Sequence, residues 1–279
     1  MNHQNETKVN ILCMKWGSKY GADYVNKLYS MVARNLSKPF RFICLTDDAK
    51  GLMSNVECFP IPKISVELSG PERGWNKLAV FQESLYDITG DILCLDLDLI
   101  IVGSLDDLFE IEGSFLIIKD WVKSDLTGNS SVYRFTVGAH KEVLSVFENS
   151  FESIKKTFRN EQEYLSDMMA KKNCLKYWPV DWCRSFKRHC IRRFSFFVAR
   201  DTLIPINSRV IVFHGKPDLM MRSMDIVVNG IASSSQLTGL VNTGDKITVF
   251  LKPYGPIFLF FNTLFISSID FFAFDSERI

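Results

Sequence analysis

One stretch constrains this chain more than any other: Asp91-Ile92-Leu93-Cys94-Leu95-Asp96-Leu97-Asp98-Leu99-Ile100-Ile101-Val102. A nearly unbroken apolar run of this kind reads as a strand buried in a parallel sheet. Two carboxylates, Asp96 and Asp98, interrupt it. A buried carboxylate with no partner costs on the order of several kcal/mol. Residues two apart on a strand share a face, so both can reach one cation. Hard oxygen donors, few in number and on one side, suit Mg²⁺ or Mn²⁺ shared with the phosphates of a ligand. The plainer alternative is a strand that has ended, with both Asp in water. The apolar flanks on either side favour the metal.

The 279 residues suffice for one large α/β domain, or a domain with a small appendage. A net charge of +1 argues against bulk electrostatic binding of nucleic acid, which needs a strongly basic face. Met1 to Glu6 are polar and show no charged-then-apolar leader pattern. The seven Cys are scattered without a Cys-x-x-Cys, and Cys13, Cys44 and Cys94 sit inside apolar runs. They read as reduced core thiols of a cytosolic protein.

From the N-terminus, Val9 to Met14 reads as a strand, Lys15 to Gly21 as a loop, Asp23 to Asn35 as a helix and Phe40 to Leu45 as a second strand. This is a βαβ start. Open sheets bind ligands at the carboxyl ends of such strands, which places Lys15, Trp16, Tyr20 and Asp47 on the ligand edge. Each of them could equally be an ordinary loop residue. Val56 to Ile61 is a short third strand, and Trp75 to Leu85 a helix carrying Lys77. Arg73 and Lys77 near a helix start can hold phosphate, although exposed Arg and Lys are common.

Beyond the central run, Ser104 to Phe109 reads as a short helix with Asp106 and Asp107 at its positive end, as caps. Phe115 to Ile118 is a strand leading into Lys119-Asp120-Trp121, and Gly128 to Phe135 a turn entering a strand. Ala139 to Lys156 is mostly helical, and another helix begins at Asn160. Trp178 to Phe197 is aromatic and basic, suited either to an anionic or sugar ligand or to a solvated basic face. Arg209 to Phe213 is a last buried strand delivering His214-Gly215-Lys216-Pro217. A His at the end of a core strand is a better candidate ligand than most.

Taken together, Thr46-Asp47-Asp48, Gly74-Trp75-Asn76-Lys77-Leu78, Leu95-Asp96-Leu97-Asp98, Gly128-Asn129-Ser130-Ser131-Val132, Glu161-Gln162-Glu163 and Phe213-His214-Gly215-Lys216-Pro217 form an ordered set. In that order the chain resembles bacterial GT-A glycosyltransferases close to glycosyltransferase family 8, the glycogenin and lipopolysaccharide galactosyltransferase group. The resemblance runs from about Val9 to Pro217. It implies an α/β fold with a Rossmann-like mixed sheet flanked by helices. It also implies Mn²⁺ (or Mg²⁺) held by Asp96, Asp98 and His214, with Lys216 on the diphosphate of a nucleotide sugar. Lys77 matches the family's basic residue that reaches the donor, and Asn129 its polar donor-sugar loop. Gln162 matches the Gln of the family's Asp-Gln pair near the reacting carbon; Glu161 stands where the family has Asp. The His and the Lys-Pro are also closer together here than is usual in the family.

The implied reaction moves a hexose from a nucleoside-diphosphate sugar, a UDP-sugar, to a glycan or lipid-linked acceptor with retention. Gln162, Glu161 and Asp120 are the candidates on the reacting-carbon side. The rival readings are a metal-dependent phosphohydrolase, a nucleotidyltransferase, and a non-catalytic nucleotide-binding protein of the same fold. Beyond about Asp218 charges thin out, and apolar runs such as Ile226 to Val228, Ile247 to Leu251 and Ile257 to Phe261 alternate with turn residues. Residues 1–218 therefore read as a catalytic domain and 219–279 as a β-rich appendage. Ile257 to Phe274 approaches the length of a membrane span, but Asn262, Ser267, Ser268 and Asp270 argue for strands. Shallow attachment to the cytoplasmic membrane face is the second expectation for that segment.

Overall fold

The computed structural model describes residues 8–68, 70–191 and 203–214, the backbone alone at 70–73, and three strands within 237–259. β1 (Val9–Lys15), β2 (Phe40–Thr46), β3 (Glu57–Phe59), β4 (Asp91–Leu95), β6 (Phe115–Lys119), β7 (Gly128–Thr136) and β8 (Lys176–Tyr177) form a seven-stranded sheet in the order β3-β2-β1-β4-β7-β6-β8. β3, β2, β1 and β4 run parallel, and β7 lies antiparallel to both β4 and β6. Strand order reverses at β1, which leads by its crossover to β2 on one side and carries β4 on the other. Crevices at such points are where open sheets bind ligands.

The sheet is buried on both sides, so its central parallel strands are apolar through Ile11–Cys13 and Ile92–Leu95. On one face Ile11, Cys13, Phe42, Leu93 and Leu95 pack with Val25, Leu28 and Val32 of α1 (Ala22–Asn35). On the other, Leu12, Ile43, Ile92 and Cys94 pack with Trp75, Leu78, Phe147 and Tyr164. Phe147 belongs to α2 (Glu142–Asn149) and Tyr164 to α4 (Glu161–Lys171); α3 (Phe151–Thr157) lies between them. The period-two alternation along β1 assigns neighbouring residues to opposite cores.

Three expectations change. The run Asp91 to Val102 is not one strand. β4 ends at Leu95, and Leu99–Ile101 forms β5 in a separate three-stranded sheet with β10 (Val210–Val212) and β9 (Cys183–Ser185). Asp96 and Asp98 thus occupy the break between two sheets, with the Asp96 amide bonded to Ser131 O at 2.9 Å and Asp98 O accepting from Phe213 N at 3.0 Å. The helix expected over 75–85 is instead a run of 3-10 turns, Gly70–Val80. Gly70, Pro71 and Gly74 disfavour a regular α-helix there. The expected helix over 139–156 is divided into α2 and α3 at Ser150.

β7 is buried along nearly its whole length, polar residues included. Its Arg134 is 1 % exposed and donates to the carbonyls of Leu108, Ile111 and Gly113. The guanidinium closes the loop that follows the short 3-10 helix Asp106–Phe109. Ser104 Oγ accepts the Asp106 amide at the start of this helix, while the carboxylates of Asp106 and Asp107, expected as caps, bond Ser37 and Arg209 instead. Cys13, Cys44 and Cys94 are buried free thiols, as their apolar surroundings predicted.

Toward the C-terminus, β11 (Leu237–Asn242), β12 (Ile247–Leu251) and β13 (Gly255–Leu259) form an antiparallel meander. The expected strand at Ile226 to Val228 lies outside the described residues. Among those residues, no helix is long and apolar enough to cross a membrane.

Candidate active site

A cavity of about 220 Å³ opens at the carboxyl ends of β1 and β4. Met14 and Trp16 line it from the end of β1, Lys19 and Tyr20 from the following loop, Leu95 to Asp98 from the break after β4, and Lys77 and Tyr133 from the opposite wall. The loop after β1 turns at Gly17, whose φ of 62° favours a residue without Cβ. Asp47 accepts the Gly17 amide at 2.8 Å. Its part in the structure is to anchor the loop that carries Trp16, Lys19 and Tyr20.

Asp96 and Asp98 hold different partners. Lys77 Nζ lies 2.6 Å from Asp96 Oδ1, and Tyr20 donates to Asp98 Oδ2 at 2.9 Å. Burial, then the charge of Asp96, pushes the Asp98 carboxyl up to about 6. Lys77 goes the other way: burial lowers its pKa, but Asp96, Glu161 and Asp98 outweigh it and hold the ammonium charged. Two half-buried carboxylates share one wall, with Lys77 in contact with the first, the Tyr20 hydroxyl on the second, and the charges of Lys77 and Lys19 both acting on Asp98. That donor set fits a hard divalent cation.

α4 brings the second group of candidates. Asn160 caps it, accepting the Glu163 amide at 3.1 Å. The first turn then presents Glu161 and Gln162 to β7. Ser130 Oγ donates to Glu161 Oε1 at 3.0 Å, and the Ser130 amide donates to Gln162 Oε1 at 3.3 Å. Lys77 Nζ lies 4.0 Å from Glu161 Oε1 and donates to Ser130 Oγ at 3.4 Å. Lys77 therefore joins the aspartate break to the start of α4. Asn129 lies one residue before this network on β7, buried, with its side-chain Oδ1 accepting the Ser131 amide at 3.1 Å.

His214 follows β10 and belongs to another cluster. The Phe213 amide donates to Asp98 O at 3.0 Å, so its backbone lies beside the aspartate break. Its ring stacks on Trp121 with centroids 5.0 Å apart and planes 17° apart, and its Nε2 is 2.7 Å from Ser185 Oγ. Burial, with Lys187 and Arg188 nearby, pulls its pKa down to about 4 and keeps the ring neutral. Among the described residues, no three His, Cys, Asp or Glu side chains converge in a ready-made metal cage. Asp120 lies on this side, its carboxylate accepting the amides of Val122 and Lys123 at 2.8 and 3.0 Å. The Lys216 residue and the Arg73 side chain lie outside the described residues.

The described part of the aromatic and basic segment makes several packing contacts. Trp178 is buried and donates to Val132 O, Arg209 sits over the Trp182 ring, and Arg184 pairs with Asp181.

The fold has counterparts among solved structures. No family model matches the chain, and no curated protein does. A structure of galactosyltransferase LgtC in complex with donor and acceptor sugar analogs matches 75 % of this chain and 88 % of its own, with TM-score 0.52 and 13 % identity. An active-site mutant of LgtC matches 80 % of this chain and 92 % of its own, with the same TM-score and identity. The chain has the GT-A glycosyltransferase fold. In this GT-A chain the cavity at the β1–β4 reversal is the site where sequence and topology agree. Sequence reasoning reached Asp96, Asp98, Lys77 and Tyr20, which line that cavity, and Glu161 and Gln162, which connect to it through Ser130 and Lys77. It missed Ser130, Tyr133 and Ser185, whose side chains are ordinary strand residues until strand pairing places them.

A further link fixes the loop that carries Asp120 and Trp121. Glu163 of α4 pairs with Lys123 and Arg159. Burial would raise its pKa, but the bonds to Lys123 and Arg159 prevail and lower it from 4.5 to about 2. A carboxyl lowered on folding adds stability above its unfolded pKa and loses it as pH falls through the folded one. Glu163→Gln should therefore destabilise the protein at neutral pH, and the gap to wild type should close between about pH 5 and pH 2. Urea midpoints across that range check this; a gap that does not change with pH would contradict it.

Proposed function

We propose that this chain is a glycosyltransferase that moves a hexose from a nucleoside-diphosphate sugar, a UDP-sugar, to a hydroxyl of a glycan or lipopolysaccharide-type acceptor, with retention of configuration. One observation carries the reading: Asp96, Asp98, Lys77 and Tyr20 line a single cavity at the strand-order reversal of a GT-A sheet. LgtC, which shares the fold, is described with donor and acceptor sugar analogs, and this supports a nucleotide sugar and a carbohydrate acceptor here.

In the reaction the bond from the anomeric carbon to the diphosphate breaks, and negative charge grows on the leaving group. A divalent cation, Mn²⁺ or Mg²⁺, held by Asp96 and Asp98 with His214, supplies charge neutralisation when bound. Lys77 brings a buried positive charge to the same wall, and its contribution rises as the leaving group becomes more negative. Lys216 and Arg73 add contacts to the diphosphate. Tyr20 orients the Asp98 carboxylate through its hydroxyl bond, and Ser130 orients Glu161 and Gln162. Glu161 and Gln162 face the reacting carbon from the α4 side and Asp120 from the other, while Asn129 is the donor-sugar contact. The acceptor hydroxyl must be held near the anomeric carbon, where positioning is worth several orders of magnitude.

The same reading assigns catalysis to residues 1–218 and leaves 219–279 as a β-rich appendage of packed strands in a cytoplasmic protein, with shallow membrane contact as the second reading of that appendage. A panel of nucleotide sugars with Mn²⁺ tests the activity. One sugar should release its nucleoside diphosphate only when a carbohydrate acceptor is present. Phosphate release from simple esters with no turnover of any nucleotide sugar would replace this reading with a phosphohydrolase; binding without turnover would leave a nucleotide-binding protein.

A further inference from the structure

We infer that Lys187, Arg188 and His189 form a binding site for a sugar that carries a negative charge, a phosphate or a carboxylate, and that the acceptor is such a sugar. The acceptor half of this rests on the transferase reading above. Phe186–Cys190 is a single turn of π-helix directly after β9, a geometry frequent at functional sites. Both ends of the turn are fixed. Phe186 stacks on Phe213 with centroids 4.5 Å apart, and Cys190 O accepts the Leu203 amide at 2.9 Å. Phe186 and Cys190 are buried, whereas Lys187 and His189 are half-buried and Arg188 is exposed. The turn thus presents two cations and an imidazole in succession on a firm base.

The fold leaves their charge unused. Arg184 of β9 pairs with Asp181, and the Asp120 carboxylate accepts two backbone amides. Among the described residues, neither Lys187 nor Arg188 has an ion-pair partner. Burial, then the charges of Arg184 and Arg188, keep the His189 ring neutral. Its Nδ1 accepts the Ser185 amide at 3.0 Å, so the neutral ring carries its hydrogen on Nε2, which has no partner among the described residues. A guanidinium fork, an ammonium and an N–H are a donor set for phosphate or carboxylate. The site adjoins the candidate active site through its supports. Trp121, the residue after Asp120, has its ring centroid 6.3 Å from that of His189 and 5.0 Å from that of His214. The backbone just before His214 bonds Asp98 O through the Phe213 amide. A sugar anchored by its charge on the π turn lies beside the loop that carries Asp120.

Ligand-observed NMR titrations of the full chain with methyl glucoside, its 6-phosphate and methyl glucuronide test this. The better of the two charged sugars should bind about tenfold more tightly than the neutral one, the factor that a hydrogen bond to a charged group represents. Lys187→Gln and Arg188→Gln should each remove most of that gain and leave the neutral sugar unchanged. Arg188→Lys should keep part of the gain, and Lys141→Gln, on a distant surface, all of it. Thermal melts establish that each variant is folded. In transfer assays Lys187→Gln should raise KM for the charged acceptor and leave kcat unchanged, the pattern of lost uniform binding. Equal binding of charged and neutral sugars overturns the inference. So does a gain that added UDP removes but Lys187→Gln and Arg188→Gln do not, because the anion then sits in the β1–β4 cavity. Sedimentation with anionic vesicles and no preference among the soluble sugars makes the turn a lipid contact and overturns it as well. A gain that depends on both cations, with no nucleotide sugar turned over by any acceptor, upholds the binding site and removes the transferase reading.

Discussion

Asp96→Asn and Asp98→Asn should each lower kcat/KM for sugar transfer by about a hundred- to a thousandfold, the range seen when a preorganised electrostatic group is removed from a transition state. Both substitutions keep shape and remove charge. Their effects on stability should differ, because the two carboxyls sit in different surroundings. Asp98 is raised to about 6 by burial and by Asp96, so at neutral pH its ionised form opposes folding. Asp98→Asn should leave the melting temperature unchanged or raise it. Asp96 is the partner of Lys77 at 2.6 Å, and Asp96→Asn should lower the melting temperature. Chelation of the wild type should abolish turnover, and added Mn²⁺ should restore it. Initial rates and thermal melts on the same samples check all of this. A lowered melting temperature in Asp98→Asn would overturn the stability prediction, and full activity in chelator would remove the metal assignment.

The sequence made the parallel half of the sheet legible, because strands buried on both faces must be apolar at every position, as Ile11 to Cys13 and Ile92 to Leu95 are. It also made Asp96 and Asp98 legible, because charge inside such a run demands a cause. What it hid was the change of sheet at that point. Leu95 and Leu99 are equally apolar on either side of the break, and periodicity carries no information about which sheet a strand joins. β7 was legible only as a strand entered from a turn, because its core-facing set includes Ser130 and Arg134. Those side chains are satisfied by carbonyls and carboxylates from distant segments, a partnership that no local pattern records. His214 was legible as a residue at the end of a core strand. Its bond to Ser185 and its stack on Trp121 depend on how β9 pairs with β10 and on the path of the loop after β6.

Lys77→Met should cost both activity and stability, and the two losses should be separable. Methionine matches the length of the lysine stem but leaves Asp96 and Glu161 without the ammonium that lies 2.6 and 4.0 Å from them. Removing one partner of a largely buried pair exposes the other to its full desolvation cost. Lys77 and Asp96 side chains are 18 % and 25 % exposed, so solvent offsets part of that cost and a loss of about 2 kcal/mol is expected. Turnover should fall by about a hundredfold, since a positive charge beside the leaving diphosphate is lost. In Lys77→Met/Asp96→Asn neither partner is left charged and alone. The double variant should recover most of the stability and none of the activity. Urea denaturation of the wild type, both single variants and the double variant closes the cycle, with initial rates measured in parallel. A double variant whose stability loss equals the sum of the single losses would show that Lys77 and Asp96 are not coupled, and would remove Lys77 from the charge network proposed to act on the diphosphate.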